Sequence, residues 1–83
     1  MPRDAQRDHA IAVAFGKRVR EVRLEAGMTQ EALAEAAGLH PTFVSNVERG
    51  YRLASLATLV QIARGLEVPA AILVEDLSWD PQP

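Results

Sequence analysis

The 83-residue chain has no cysteine and no apolar run near the roughly 20 residues that span a bilayer, which excludes disulfides, cysteine-based chemistry and a membrane helix. With 48% apolar residues, 24% charged residues and four aromatics, it can build one small core from Leu, Val, Ile and Ala, and its many alanines favour helices. The net charge of −2 conceals a split: residues 1–66 hold all nine Arg and Lys against seven acids, and residues 67–83 hold four acids and no base, so one face can still meet phosphate.

Residues 8–26 are predicted as the first helix. Ile11, Phe15, Val19, Val22 and Leu24 recur near the 3.6-residue period, and Gly27 is placed to stop it. Lys17, Arg18 and Arg20 fall on its polar face. Residues 1–7 lack apolar anchors and are expected to be disordered or to extend this helix; the segment "MPRDAQRDH" has no leader-type apolar stretch, which predicts a cytoplasmic protein. Thr29 offers a capping side chain for a second helix at 30–37, where Glu31 suits the positive helix start. Gly38 ends that helix, and Pro41 opens a third at 41–49, in a position where its missing N–H costs nothing. Ser55 caps a fourth at 56–65, with Leu56, Leu59, Val60, Ala63 and Leu66 apolar. Pro69 begins a last helix at 69–77, and residues 78–83 form a tail. Gly27, Gly38, Gly50 and Gly65 are spaced as helix terminators, not as a phosphate-binding loop. The fold expected is a compact all-α bundle of five helices in one domain.

Helices of about eight and nine residues joined by a tight glycine turn have the form of a helix-turn-helix, whose second helix enters the DNA major groove. Ordinary helical hairpins share that form, so the faces of the second helix matter. At about 100° per residue, Val44 and Val47 lie together on an inward side. Thr42, Ser45, Asn46 and Arg49 point within about 50° of the opposite direction. All four are short or forked hydrogen-bonding groups suited to base edges and phosphates, and none is acidic. Glu48 sits beside the inward side and needs a cation if buried, with Arg23 as the candidate; the alternative is that both are solvated.

Other polar residues carry no reaction chemistry. His9 and His40 are isolated, so no metal site is expected, and His40 is read as a turn residue within reach of phosphate. Glu31 and Glu35 lie on one helix face without a nucleophile or a cleft residue beside them, so they are read as solvated, and no enzyme or cofactor is expected.

The segment "VREVRLEAGMTQEALAEAAGLHPTFVSNVERG" resembles the Xre/Cro-like helix-turn-helix family of phage repressors and bacterial regulators, a resemblance that covers about residues 12–77. Within it, "RLEAGMTQEALA", "TFVSNVERGYR" and "ARGLEVP" are most similar to the controller proteins of restriction–modification systems. The resemblance implies a lambda-repressor-like DNA-binding domain in a small dimeric regulator without an effector domain. It implies that Gln30 contacts backbone phosphate and braces the recognition helix, and that Thr42, Ser45 and Asn46 face bases. Phe43 matches a position that packs near the DNA backbone, Arg49 and Arg52 match phosphate or base contacts, and Arg23 and Glu48 match a buried ion bridge. Pro41 departs from the pattern: relatives often read a base there with Arg or Gln, and proline cannot. Specificity should therefore rest on Thr42, Ser45, Asn46 and DNA shape.

Ile72, Leu73, Val74, Leu77 and Trp79 form a dense apolar group that covers the core or makes a surface for self-association. Ile72, Leu73, Leu77 and Trp79 are the candidate dimer interface. A two-fold dimer would set two recognition helices about 34 Å apart on a palindromic double-stranded DNA site, with the acidic end turned away. The function predicted is a homodimeric, sequence-specific transcriptional regulator, with no small-molecule effector and no membrane partner. The alternative is an antitoxin on the same fold that grips a toxin protein through the terminal apolar patch; a protein-interaction module that has lost DNA binding is a third reading.

Overall fold

The computed structural model describes residues 3–80. Five helices follow in chain order: α1 (Arg3–Glu25), α2 (Gln30–Ala37), α3 (Pro41–Glu48), α4 (Leu56–Leu66) and α5 (Ala70–Val74). The described residues contain no strand, so the all-α architecture is the one expected. No helix among them is long and apolar enough to cross a membrane.

Two helix boundaries differ from expectation by more than one residue. α1 begins at Arg3, so residues 3–7 are helical and not disordered, while residues 1 and 2 lie outside the described residues. An anchor is unnecessary there because the helix is already nucleated downstream, and propagation needs only favourable local residues. Asp4 meets the positive helix start, and Arg7 pairs with Asp4 at 3.5 Å and with Asp8 at 2.9 Å. At the other end, α5 stops at Val74 instead of reaching residue 77. Asp76 takes a left-handed conformation (φ 62°), and Glu75 and Asp76 place negative charge at the negative end of the helix. Of the expected tail, residues 78–80 are irregular and residues 81–83 lie outside the described residues.

The first four helices close in a common way. An N–H two or three residues past each end reaches back to a carbonyl five positions earlier: Met28 to Arg23, Leu39 to Ala34, Tyr51 to Asn46 and Val68 to Ala63, at 2.8–3.1 Å. Glycine supplies the left-handed residue in the first three, whereas Glu67 (φ 57°) supplies it in the fourth. Gly65 is therefore not the terminator it was expected to be. It lies inside α4, where a Cβ would stand 3.0 Å from Leu33 Cδ1 and 3.1 Å from Ala37 Cβ, so its role is to let α2 and α4 approach.

The core joins Phe15, Val19 and Val22 of α1 to Leu33, Ala34 and Ala37 of α2, Val44 and Val47 of α3, Ile62, Ala63 and Leu66 of α4, and Leu73 of α5. α2 packs on α3 and α4, and α1 packs on α3 and α5. The inward stripe of α4 is only part of the expected apolar set: Ala63 and Leu66 are buried and Leu59 packs against the core, whereas Leu56 (76% exposed) and Val60 (53%) face outward. Leu73 corrects a second expectation. At 1% exposure it belongs to the core and not to a dimer surface, and its burial is worth about 1.5–3 kcal/mol to the fold itself.

Candidate nucleic-acid interface

Local chemistry sets the turn between α2 and α3. Thr29 Oγ1 accepts from the Ala32 N–H at 3.0 Å and starts α2. Gly38 ends it at φ 72°, a conformation that a Cβ resists. Pro41 sits at the start of α3, and His40 caps it, with Nδ1 accepting from the Thr42 N–H at 3.1 Å. Histidine is not among the usual capping residues, so this part of His40's role was not legible in the sequence.

α3 is then fixed from behind. Val44 and Val47 are fully buried. Arg23 donates Nε to Glu48 Oε2 at 2.7 Å and Nη2 to Glu48 Oε1 at 3.0 Å, a fork-to-fork pair. Both side chains are nearly inaccessible, at 9% and 3% exposure. The remaining arm of Arg23, Nη1, donates to the Met28 carbonyl at 2.8 Å, and Gln30 Nε2 donates to Glu48 Oε1 at 3.1 Å. The alternative of two solvated side chains does not hold. Hydrogen bonding to Glu48 raises the pKa of Arg23 above its ordinary value, against the opposing effect of burial. One carboxylate thus ties α1, the turn after it and the start of α2 to the end of α3, and Gln30 is brought into that brace.

Gly16 completes the seat. A Cβ on Gly16 would collide with the Val47 carbonyl oxygen and would stand 2.9 Å from the carbonyl oxygen of Glu48. The backbone of α1 therefore lies directly on the end of α3. Its signal in the sequence was a glycine inside a helical pattern, and the contact that requires it was not readable there.

The outer face of α3 carries no acid. Thr42 and Arg49 are exposed, and Ser45, Asn46 and Phe43 are half-buried. Two arginines at the end of α3 are held by aromatic rings. Arg49 lies 5.5 Å from the centroid of Tyr51, and Arg52 lies 5.4 Å from that of Phe43. Arg49 also donates Nη2 and Nε to Ser45 Oγ at 2.8 and 3.2 Å. Sequence reasoning missed Tyr51; the available signal was an aromatic residue two positions after Arg49, just past the glycine that ends the helix.

The candidate dimer residues divide. Ile72, Leu77 and Trp79 are half-buried, with the Ile72 carbonyl accepting from Arg18 Nε at 2.9 Å, and Leu73 is in the core. The larger exposed apolar surface lies elsewhere. Leu53, Leu56 and Val74, with Leu77, rim an open apolar groove of about 230 Å³ between the loop after α3, the start of α4 and the end of α5.

Residues 19–73, from the middle of α1 into α5, match the sequence profile of the helix-turn-helix family. Control protein C.BamHI of Bacillus amyloliquefaciens is 39% identical over 66 residues, which is 78% of this chain and 82% of that protein. Control protein C.SmaI of Serratia marcescens is 42% identical over 56 residues, covering 68% of this chain and 67% of that protein. The crystal structure of the restriction–modification controller protein C.AhdI of Aeromonas hydrophila shares 41% identity and a TM-score of 0.75, over 77% of this chain and 97% of its own. Together with the braced helix α3 and its acid-free outer face, these matches establish that the chain belongs to the helix-turn-helix family and is a DNA-binding transcriptional regulator.

Proposed function

We propose that the protein acts as a homodimer on a two-fold symmetric operator, as the controller of a restriction–modification system. The observation that carries this reading is the acid-free outer face of α3, which ends in two ring-stacked arginines, on a scaffold similar to those of controller proteins. Thr42, Ser45 and Asn46 turn toward base edges, Arg49 and Arg52 meet bases or phosphates, and Gln30 and Phe43 lie along the DNA backbone. Pro41 has no hydrogen-bond donor to offer a base. A mobility-shift titration tests the reading. The DNA upstream of its own gene should bind far more tightly than random duplex, with affinity falling steeply as salt rises; equal binding to both overturns it. Arg49→Ala should cost about 1–3 kcal/mol of binding per half-site and leave the melting temperature unchanged.

The dimer surface is assigned to the exposed apolar residues Leu53, Leu56 and Val74 with half-buried Leu77. Leu56, at 76% exposure, contributes little to its own domain and should contribute to a partner. Leu56→Glu is expected to give a folded monomer in sedimentation, with unchanged helix content and much weaker DNA binding. A dimer that survives this substitution would place the interface elsewhere.

A further inference from the structure

Arg49 is not a free side chain on the DNA-facing surface. A guanidinium has five N–H donors in a planar fork. The edge formed by Nε and Nη2 is turned to Ser45 Oγ at 3.2 and 2.8 Å, and the group is stacked at 5.5 Å on the ring of Tyr51. Tyr51 itself is 69% exposed and contributes little to the core. Its backbone is fixed, because its N–H closes α3 on the Asn46 carbonyl at 2.9 Å directly after left-handed Gly50. A rigid turn therefore holds an aromatic ring on one side of Arg49, and the preceding helical turn holds a hydroxyl against one edge.

We propose that Tyr51 and Ser45 are positioning residues that set Arg49 to present its remaining edge, Nη1 and Nη2, to a pair of acceptors on DNA. The inference rests on the reading of Arg49 as a DNA contact and adds how it is aimed. A lone arginine loses side-chain freedom when it docks, and a clamp that holds it beforehand reduces that loss. The clamp also restricts Ser45. Its hydroxyl oxygen accepts two bonds from Arg49 and keeps only its own O–H to give, so Ser45 serves DNA as a donor and not as an acceptor. The acceptor pair facing Arg49 is either O6 and N7 of a guanine or two oxygens of a phosphate.

The test uses a duplex enriched by the wild-type protein from a randomised pool, with the pool as the non-specific reference. Tyr51→Ala should weaken binding to the enriched duplex about two- to fivefold per half-site, as expected for an exposed cation–ring stack, with no change in melting temperature. Tyr51→Phe keeps the ring and should bind as wild type. In an Arg49→Ala background, Tyr51→Ala should add nothing. If Tyr51→Ala costs the same with and without Arg49, or if Tyr51→Phe is as weak as Tyr51→Ala, the tyrosine makes its own contact and the clamp is overturned. If Arg49→Ala alone binds as wild type, the underlying reading of Arg49 fails instead. Arg49→Ala also distinguishes the acceptors. A salt dependence lowered by about one phosphate contact assigns phosphate, and relaxed preference at one base pair assigns guanine.

Discussion

Glu48→Ala should lower the stability of the fold by about 3–5 kcal/mol, the cost of leaving one member of a buried ion pair without its partner. The substitution removes the acceptor for Arg23 Nε and Nη2 and for Gln30 Nε2 together. The guanidinium cannot turn to water, because Arg23 is only 7% exposed and its third arm is held by the Met28 carbonyl at 2.8 Å. For a domain of this size the melting temperature should fall by more than about 12 °C, measured by circular dichroism. Replacing both partners with apolar residues, as in Arg23→Met with Glu48→Leu, should cost less than Glu48→Ala alone, because no charge is then stranded. A Glu48→Ala protein that melts with the wild type would show that the bridge contributes nothing. DNA binding should fall with stability, since the same carboxylate seats the recognition helix on α1 and α2.

Gly16→Ala provides the second large effect, in the direction opposite to that of local propensity. In an exposed helix interior, alanine in place of glycine stabilises by about 1 kcal/mol. Here the new methyl would meet the Val47 carbonyl oxygen, and the carbonyl carbon and oxygen of Glu48 at 3.0 and 2.9 Å. These are backbone atoms at the end of α3 and cannot rotate aside, so α1 and α3 must separate. Overpacking of this kind costs about 1–3 kcal/mol and at times more, and here it also disturbs the neighbouring Arg23–Glu48 bridge. A net loss of about 2–3 kcal/mol in urea unfolding is expected, with weaker DNA binding because α3 shifts. A stability gain would mean that the two helices are not in close contact. Gly27 offers a contrast: a Cβ there meets nothing within 4 Å, so Gly27→Ala should cost only the strain of its φ of 71°, about 1 kcal/mol.

What was legible in the sequence followed from rules that act within one or two helical turns. The caps at Thr29 and Ser55, the stop at Gly38, the start at Pro41 and the inward Val44 and Val47 depend on backbone geometry and the helical period. The outward set of Thr42, Ser45, Asn46 and Arg49 followed from the same period. The Arg23–Glu48 bridge spans 25 residues, and it could be suggested beforehand only because a buried acid requires a cation and the family resemblance pointed to that pair.

Other features depended on how the helices cross, which no local pattern encodes. Both Gly65 and Gly16 lie inside helices, and each is required by a neighbouring helix whose approach is set by the whole core. Leu73 and Leu56 are both leucines, yet the first is buried where α5 packs on α1 and α4 and the second is exposed at the start of α4. The stack of Tyr51 on Arg49 likewise required the turn after Gly50 to bring the ring back onto α3. By itself, then, the sequence determined which helices form, where the first three stop, and that the third presents a polar, acid-free face. The tertiary structure decided how that face is held and how its arginines are aimed, because side-chain positions across helices are set by packing between segments distant in the chain.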